Sequence, residues 1–125
     1  MRLHILSDLH LSVAPLAIPD VEADVTILAG DISRPAQAIE WARQLPRPVI
    51  YVPGNHEFYG ATLAGTLAEL RRLTANTNVH LLERNAVVID GVRFVGTTLW
   101  TDFALYDAEG KHDAVIEESQ KFVRD

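Results

Sequence analysis

The sequence contains no cysteine, which excludes a disulfide scaffold and thiolate ligation and leaves carboxylate, imidazole, amide and water for any metal site. It also lacks a long hydrophobic run. No apolar stretch approaches the roughly 18 residues that a membrane span needs, and the first residues show no basic segment followed by an apolar signal core. The expectation is a cytoplasmic protein without a membrane partner. Positive charge is scarce as well: 11 Lys and Arg stand against 17 Asp and Glu, a formal net charge of −6. Nucleic acid is therefore not indicated by charge, because such partners call for a basic face. No repeat, linker or low-complexity tract is visible. No Gly-x-Gly-x-x-Gly follows any apolar run, which argues against dinucleotide binding.

What is present is a core. Of 125 residues, 48% are hydrophobic, ample for one domain spanning residues 1–125. Met1 to Leu6 reads as a strand with Leu3 and Ile5 on one face and His4 and Leu6 on the other. Residues 11–22 carry Pro15 and Pro19 and read as loop with at most one helical turn, their apolar side chains covering the core. Val25 to Ala29 is an unalternating β-favouring run, the pattern of a strand buried on both faces. Ser33 before Arg34 and Pro35 predicts a capped helix start. Ala38, Trp41, Ala42 and Leu45 form its apolar stripe, with Pro46 and Pro48 ending it. A strand over Val49 to Val52 precedes a second helix from about Ala61 to Thr74, striped by Leu63, Leu67, Leu70 and Leu73.

From Asn76 the pattern changes. Val79 to Leu82 is a short strand, and Ala86 to Ile89 with Val92 to Val95 flank Asp90-Gly91, a two-residue hairpin signal. Residues 96–103 read as loop. Asp113 is expected to cap a last helix over Ala114 to Val123, with Val115, Ser119 and Phe122 on its inner side. The class is α/β, mainly parallel strands followed by an antiparallel hairpin.

Three of the apolar runs stop at polar chemistry. Leu3 to Leu6 opens onto Ser7-Asp8-Leu9-His10, Val25 to Ala29 onto Gly30-Asp31, and Val49 to Val52 onto Pro53-Gly54-Asn55-His56-Glu57. Parallel strands joined by right-handed crossovers point the same way, so these exits gather along one sheet edge. Hard divalent ions favour carboxylate oxygens, imidazole suits zinc, iron and manganese, and an asparagine carbonyl adds a neutral oxygen.

In order and in kind, these three blocks resemble the calcineurin-like metallophosphoesterases, whose motifs run Asp-x-His, Gly-Asp, Gly-Asn-His-(Asp/Glu), then a histidine block and a terminal Gly-His-x-His. The resemblance spans essentially the whole chain. A looser match, Gly96-Thr97-Thr98-Leu99-Trp100-Thr101-Asp102, is similar to a loop of small bacterial members. The resemblance implies the N-terminal portion of a four-layer α/β/β/α metallophosphoesterase sandwich. It also implies that Asp8 and His10 ligate a first metal, that Asp31 bridges two, and that Asn55 ligates the second. His56 is implied to stabilise charge on the phosphoryl group or protonate the leaving oxygen, with Glu57 orienting its ring. The cofactors implied are two divalent or trivalent ions drawn from manganese, iron and zinc. Two such ions acidify a bridging water, and the hydroxide formed attacks the phosphorus of a phosphomonoester or phosphodiester.

The departure from the family pattern lies after Glu57, where the only histidines are His80 and His112. Neither fits a late histidine block. The expectations are a domain lacking its C-terminal part, impaired catalysis by this chain alone, and a competing reading as an inactive, weakly metal-binding fragment. Such a fragment would self-associate through an exposed apolar sheet face. His4, His80 and His112 are expected outside the site and Trp41 in the core. Trp100 is expected to pack, and Tyr59 either packs or lines the substrate cleft.

Overall fold

The computed structural model describes residues 1–122, the side chain of Phe122 excepted. Its frame is a parallel sheet of β1 (Leu3–Leu6), β2 (Val25–Ala29), β3 (Val49–Val52) and β4 (Val79–Leu81), hydrogen-bonded in that spatial order. Helix α1 (Pro35–Ala42) crosses from β2 to β3 and α2 (Leu63–Thr74) from β3 to β4. β1 reaches β2 through loop and turn alone. A separate antiparallel pair, β5 (Asn85–Ile89) and β6 (Val92–Gly96), follows, and α3 (His112–Phe122) comes last. The hairpin turns at Asp90 and Gly91 with φ of 48° and 78°, the left-handed pair that a two-residue connection demands.

The register sorts the sheet into two faces. Leu6, Leu28, Val49, Tyr51, Val79 and Leu81 share the face that packs on the helices, around Ala38, Ile39, Trp41, Ala42 and Leu70. Val25, Ile27, Ile50 and Val52 share the other, covered by Leu82 and by Val87, Ile89 and Phe94 of the β5–β6 pair. β2 is buried on both faces over most of its length, as its lack of alternation predicts. β1 alternates as expected, but its Leu3 and Ile5 face is 44% and 61% exposed.

Several local expectations are corrected. Ser33 does not cap α1: Arg34 holds the N-cap position without a side-chain capping bond, and the Ser33 hydroxyl donates to Gln37 Oε1 at 2.6 Å. That helix stops at Ala42, before either proline, and Leu45 is buried just beyond it. In α2 the inner face holds Thr66, Leu70 and Thr74, with Leu67 and Leu73 packed against the core as expected, while Leu63 at the first turn is exposed. Thr62 caps it, accepting from the Gly65 amide. In the long first loop Leu11 is buried and Ile18 packs on the core, whereas Val13 and Leu16 face outward. The last helix begins at His112, so Asp113 sits inside its first turn and is not its cap. A 3-10 segment at Ala104–Glu109 precedes it, where sequence periodicity carried no signal. The expected inward position of Phe122 and the helix end at Val123 lie outside the described residues.

Candidate metal centre

The exits of β1, β2 and β3 meet at one edge of the sheet, and the first two are zipped together by backbone. Asp8 N–H donates to Gly30 O at 3.0 Å, His10 N–H to Asp31 O at 3.1 Å and Leu11 N–H to Ile32 O at 2.9 Å. Asp8, His10 and Asp31 all have positive φ, at 55°, 43° and 57°. This conformation is uncommon outside glycine and tolerated best by Asp, Asn and His, and it clusters where surrounding structure over-determines the backbone. Here three residues expected to be ligands carry it.

Close approach of the β2 and β3 exits depends on two glycines. Gly30 has φ of 89°, and a Cβ there would lie 3.1 Å from Gly54 Cα. A Cβ on Gly54 would lie 2.1 Å from Asp31 Oδ1. The Asp31 carboxylate therefore occupies the space that any side chain at Gly54 would fill, and its Oδ1 also accepts from the His56 amide at 3.1 Å.

Glu57 departs from its expected role. Its side chain is fully buried, and Oε2 accepts from the amides of Asp31 at 3.1 Å and Gly54 at 2.8 Å. Oε1 accepts from the Ile32 amide at 2.8 Å and the Tyr51 hydroxyl at 2.8 Å. The carboxylate thus clamps the β2 exit to the β3 exit and does not orient the His56 ring. Burial pushes the Tyr51 phenol well above its ordinary range, reinforced by the charge and hydrogen bond of Glu57 and the charge of Asp31. The hydroxyl stays a donor to Glu57 throughout the neutral range.

The His56 ring instead meets two others. It stands edge-on to His10 with centroids 4.7 Å apart and stacks on Tyr59 at 4.4 Å, whose hydroxyl is 3.5 Å from His56 Nε2. Tyr59 thereby joins the site. Trp100 is 50% exposed and lies 5.5 Å from the Phe58 ring, so it packs on one side only. Trp41 is in the core. His4 is half-buried in β1 and His80 lies in β4. His112 pairs with Asp107 at 2.7 Å.

One ligand atom each from His10, Asp31 and His56 lie within 4.8 Å of one another. Asp31 also lines a second hollow of about 470 Å³ with Asp8, Asn55, Gly54 and Thr98. The expected site residues thus all border Asp31: His10 and His56 come within reach of its carboxylate, and Asp8 and Asn55 line the hollow with it. Carboxylate and imidazole within this reach fit a divalent transition metal, whose donors surround one ion at about 2.0–2.2 Å. One wall of that hollow is fixed by Thr98, whose hydroxyl lies 2.7 Å from both Pro53 O and Glu83 Oε2, two acceptors for its one proton.

Sequence reasoning missed Arg34 and the Tyr51–Glu57 pair, and left Tyr59 open between packing and the cleft. Arg34 and Tyr59 each stand three residues beyond a motif residue, Asp31 and His56, and that spacing within a turn was the signal available. No curated protein and no solved structure matches the chain. The model for the calcineurin-like phosphoesterase superfamily domain matches residues 1–121. With that match over nearly its full length, and with the three strand exits gathered as described, the chain belongs to the calcineurin-like phosphoesterase superfamily.

Proposed function

We propose that this chain carries metal-binding residues of a dinuclear phosphoesterase acting on phosphomonoesters or phosphodiesters. The observation that carries the reading is Asp31, a single carboxylate shared by the His10–His56 cluster and the Asp8–Asn55 hollow. Asp8 and His10 would hold one ion, Asn55 the other, and Asp31 both. Bound metal ions acidify water and neutralise phosphate oxygens. His56, within reach of the same point, serves the phosphoryl group, stabilising its charge or giving a proton to the leaving oxygen. Tyr59 fixes the ring by stacking and by its hydroxyl. Manganese, iron and zinc all suit this donor set.

Hydrolysis by these residues alone is proposed to be impaired, because no histidine block follows Glu57 to complete the ligand sets. The deciding experiment combines metal analysis by mass spectrometry with hydrolysis of p-nitrophenyl phosphate and bis(p-nitrophenyl) phosphate, on the wild type and Asp31→Asn. Metal bound near stoichiometry, with turnover that Asp31→Asn abolishes, supports the reading. Stoichiometry well below one without turnover under manganese removes it.

A second reading, a self-associating and catalytically inactive form, rests on the apolar side chains of Leu3, Ile5 and Val95, the last 73% exposed. Light scattering across a concentration series tests it, and a monomer at every concentration excludes it.

A further inference from the structure

We infer that the hollow between the loop after β6 and α3 takes the organic group esterified to the phosphate, and that this group is uncharged and apolar or aromatic. The inference rests on the phosphoesterase reading above and deepens it by naming the substrate class. The hollow has a volume of about 560 Å³, with Leu99, Trp100 and Phe103 contributed by the loop and Ile116, Ser119 and Gln120 by α3. Small-molecule sites span roughly 300–1,000 Å³ and are lined mainly by apolar and aromatic side chains with a few polar groups. Its position says what occupies it. Asn55 and Leu99 line both this hollow and the one that Asp8 and Asp31 share, so the two adjoin at those residues. Asn55 is the proposed ligand of the second ion, and an ester whose phosphorus lies at the metals can lay its organic substituent along that shared wall.

The lining selects for the absence of charge. Among the described residues it holds no Asp, Glu, Lys, Arg or His, in a chain of which 22% is charged. A second phosphate, an ammonium or a carboxylate on the substrate would find no counter-charge there. An aryl or alkyl group loses nothing by that lack and gains by leaving water. Trp100 is fixed for contact with such a group. Its ring rests 5.5 Å from that of Phe58, a buried residue of the turn that carries His56, yet half of its surface stays open. Leu99 beside it is 89% exposed, an apolar surface that an apolar ligand would cover. Phe103 lines the hollow from a φ of 59°, a left-handed conformation that is an outlier for a bulky residue. Thr101 Oγ1 accepts from the Phe103 amide and Asp102 Oδ1 from the Ala104 amide, both at 3.0 Å, and together they hold that turn. Backbone of this kind collects at ligand clamps.

The test titrates phenylphosphonate and methylphosphonate, whose carbon–phosphorus bonds are not hydrolysed, calorimetrically into the manganese-loaded full chain, and 1-naphthol into the metal-free chain. The wild type is compared with Trp100→Ala, Ile116→Ala and, as a control, Tyr106→Ala, an exposed aromatic residue outside the lining. Both phosphonates present the same head group, so the ratio of their affinities reads the organic group alone. The expected ratio is about tenfold in favour of the phenyl compound, from moving a ring out of water. It should fall about two- to tenfold in Trp100→Ala and at least about twofold in Ile116→Ala, and stay unchanged in Tyr106→Ala. 1-Naphthol should bind the metal-free wild type and lose affinity by similar factors in the two lining variants. If Trp100→Ala does not fold, Ile116→Ala decides, since alanine keeps the helix and only shortens one wall. Equal affinity of the two phosphonates for the wild type, failure of 1-naphthol to bind, or lining variants that behave as the wild type each overturn the inference. The two proposals fail separately. Naphthol binding that needs Trp100 and Ile116, in a chain that binds neither manganese nor phosphonate, removes the esterase reading and keeps the hollow as an aryl site, whereas phosphonate binding indifferent to the organic group does the reverse.

Discussion

The backbone amide of Asp31 donates to the buried carboxylate of Glu57 across 3.1 Å, joining residues 26 positions apart in sequence. The same carboxylate receives the amides of Ile32 and Gly54 and the hydroxyl of Tyr51. Four donors converge on two oxygens inside the protein, where each is worth more than in water and each is costly to orphan. The geometry of the metal-binding edge is therefore set by a carboxylate bonded to backbone amides and the Tyr51 hydroxyl.

Glu57→Gln tests that dependence. A glutamine keeps the volume but turns one oxygen into a donor facing N–H or O–H groups, leaving buried donors unmatched. Stability should fall by about 3 kcal/mol, read as a lower urea midpoint at constant slope, and metal binding should weaken with it. A loss under about 1 kcal/mol would show that the clamp is not essential to the edge.

Gly54→Ala addresses the space beneath Asp31. The added Cβ would sit 2.1 Å from Asp31 Oδ1 and 2.6 Å from Asp31 N, contacts that only a shift of the β2 exit can relieve. Overpacking of this kind costs about 1–3 kcal/mol. Displacement of the shared carboxylate should lower metal affinity at least about tenfold, as loss of support around a ligand does. Gly60→Ala is the control. Its Cβ would meet nothing within 4 Å, although φ is 75°, so backbone strain of about 1–2 kcal/mol should appear without a change in metal affinity.

These variants also mark how far sequence could see. The gathering of Asp8, His10, Asp31, Asn55 and His56 at one edge of the sheet was legible because each follows an apolar run at its abrupt end, and parallel topology does the rest. The strands were legible for the same reason, down to the Asp90-Gly91 hairpin. Glu57 was assigned to the wrong partner because its bonds run to backbone amides of Asp31 and Ile32, and amides leave no mark in a sequence. Arg34 hides differently: it sits at a helix start, where a charged residue reads as solvated surface. Ser33 looked like a cap by residue type, yet Gln37 one turn later captured its hydroxyl.

Glu83 should make stability depend on acid. Burial alone would raise its carboxyl, but hydrogen bonds from the Thr98 amide and hydroxyl and the Thr97 hydroxyl, with the Arg84 charge, hold it below the ordinary value. Because the folded value is depressed, the stabilising contribution is complete above the unfolded value of about 4.3. It is lost as pH falls through the lower folded value. Thermal melts between pH 7 and pH 3 should therefore show a smaller acid-induced drop in Glu83→Gln than in the wild type. Equal drops would mean that the Thr98 bonds do not distinguish the charged from the neutral carboxyl.

His56→Ala separates two roles that its position permits. The ring lies close enough to His10 and Asp31 to share an ion with them, yet it is stacked on Tyr59 in a hollow that Arg34 also lines. A ligand contributes mainly to metal occupancy, whereas a group serving the phosphoryl centre contributes to turnover at full occupancy. In the proposed function kcat should fall about 10²- to 10⁴-fold, while manganese content stays near wild type and well above that of Asp31→Asn. Both quantities are read on the same preparation, by single-turnover kinetics and by metal analysis. A fall in metal content that accounts for the whole loss of kcat would make His56 a ligand. The phosphoryl group would then have to be served by Tyr59 in its place.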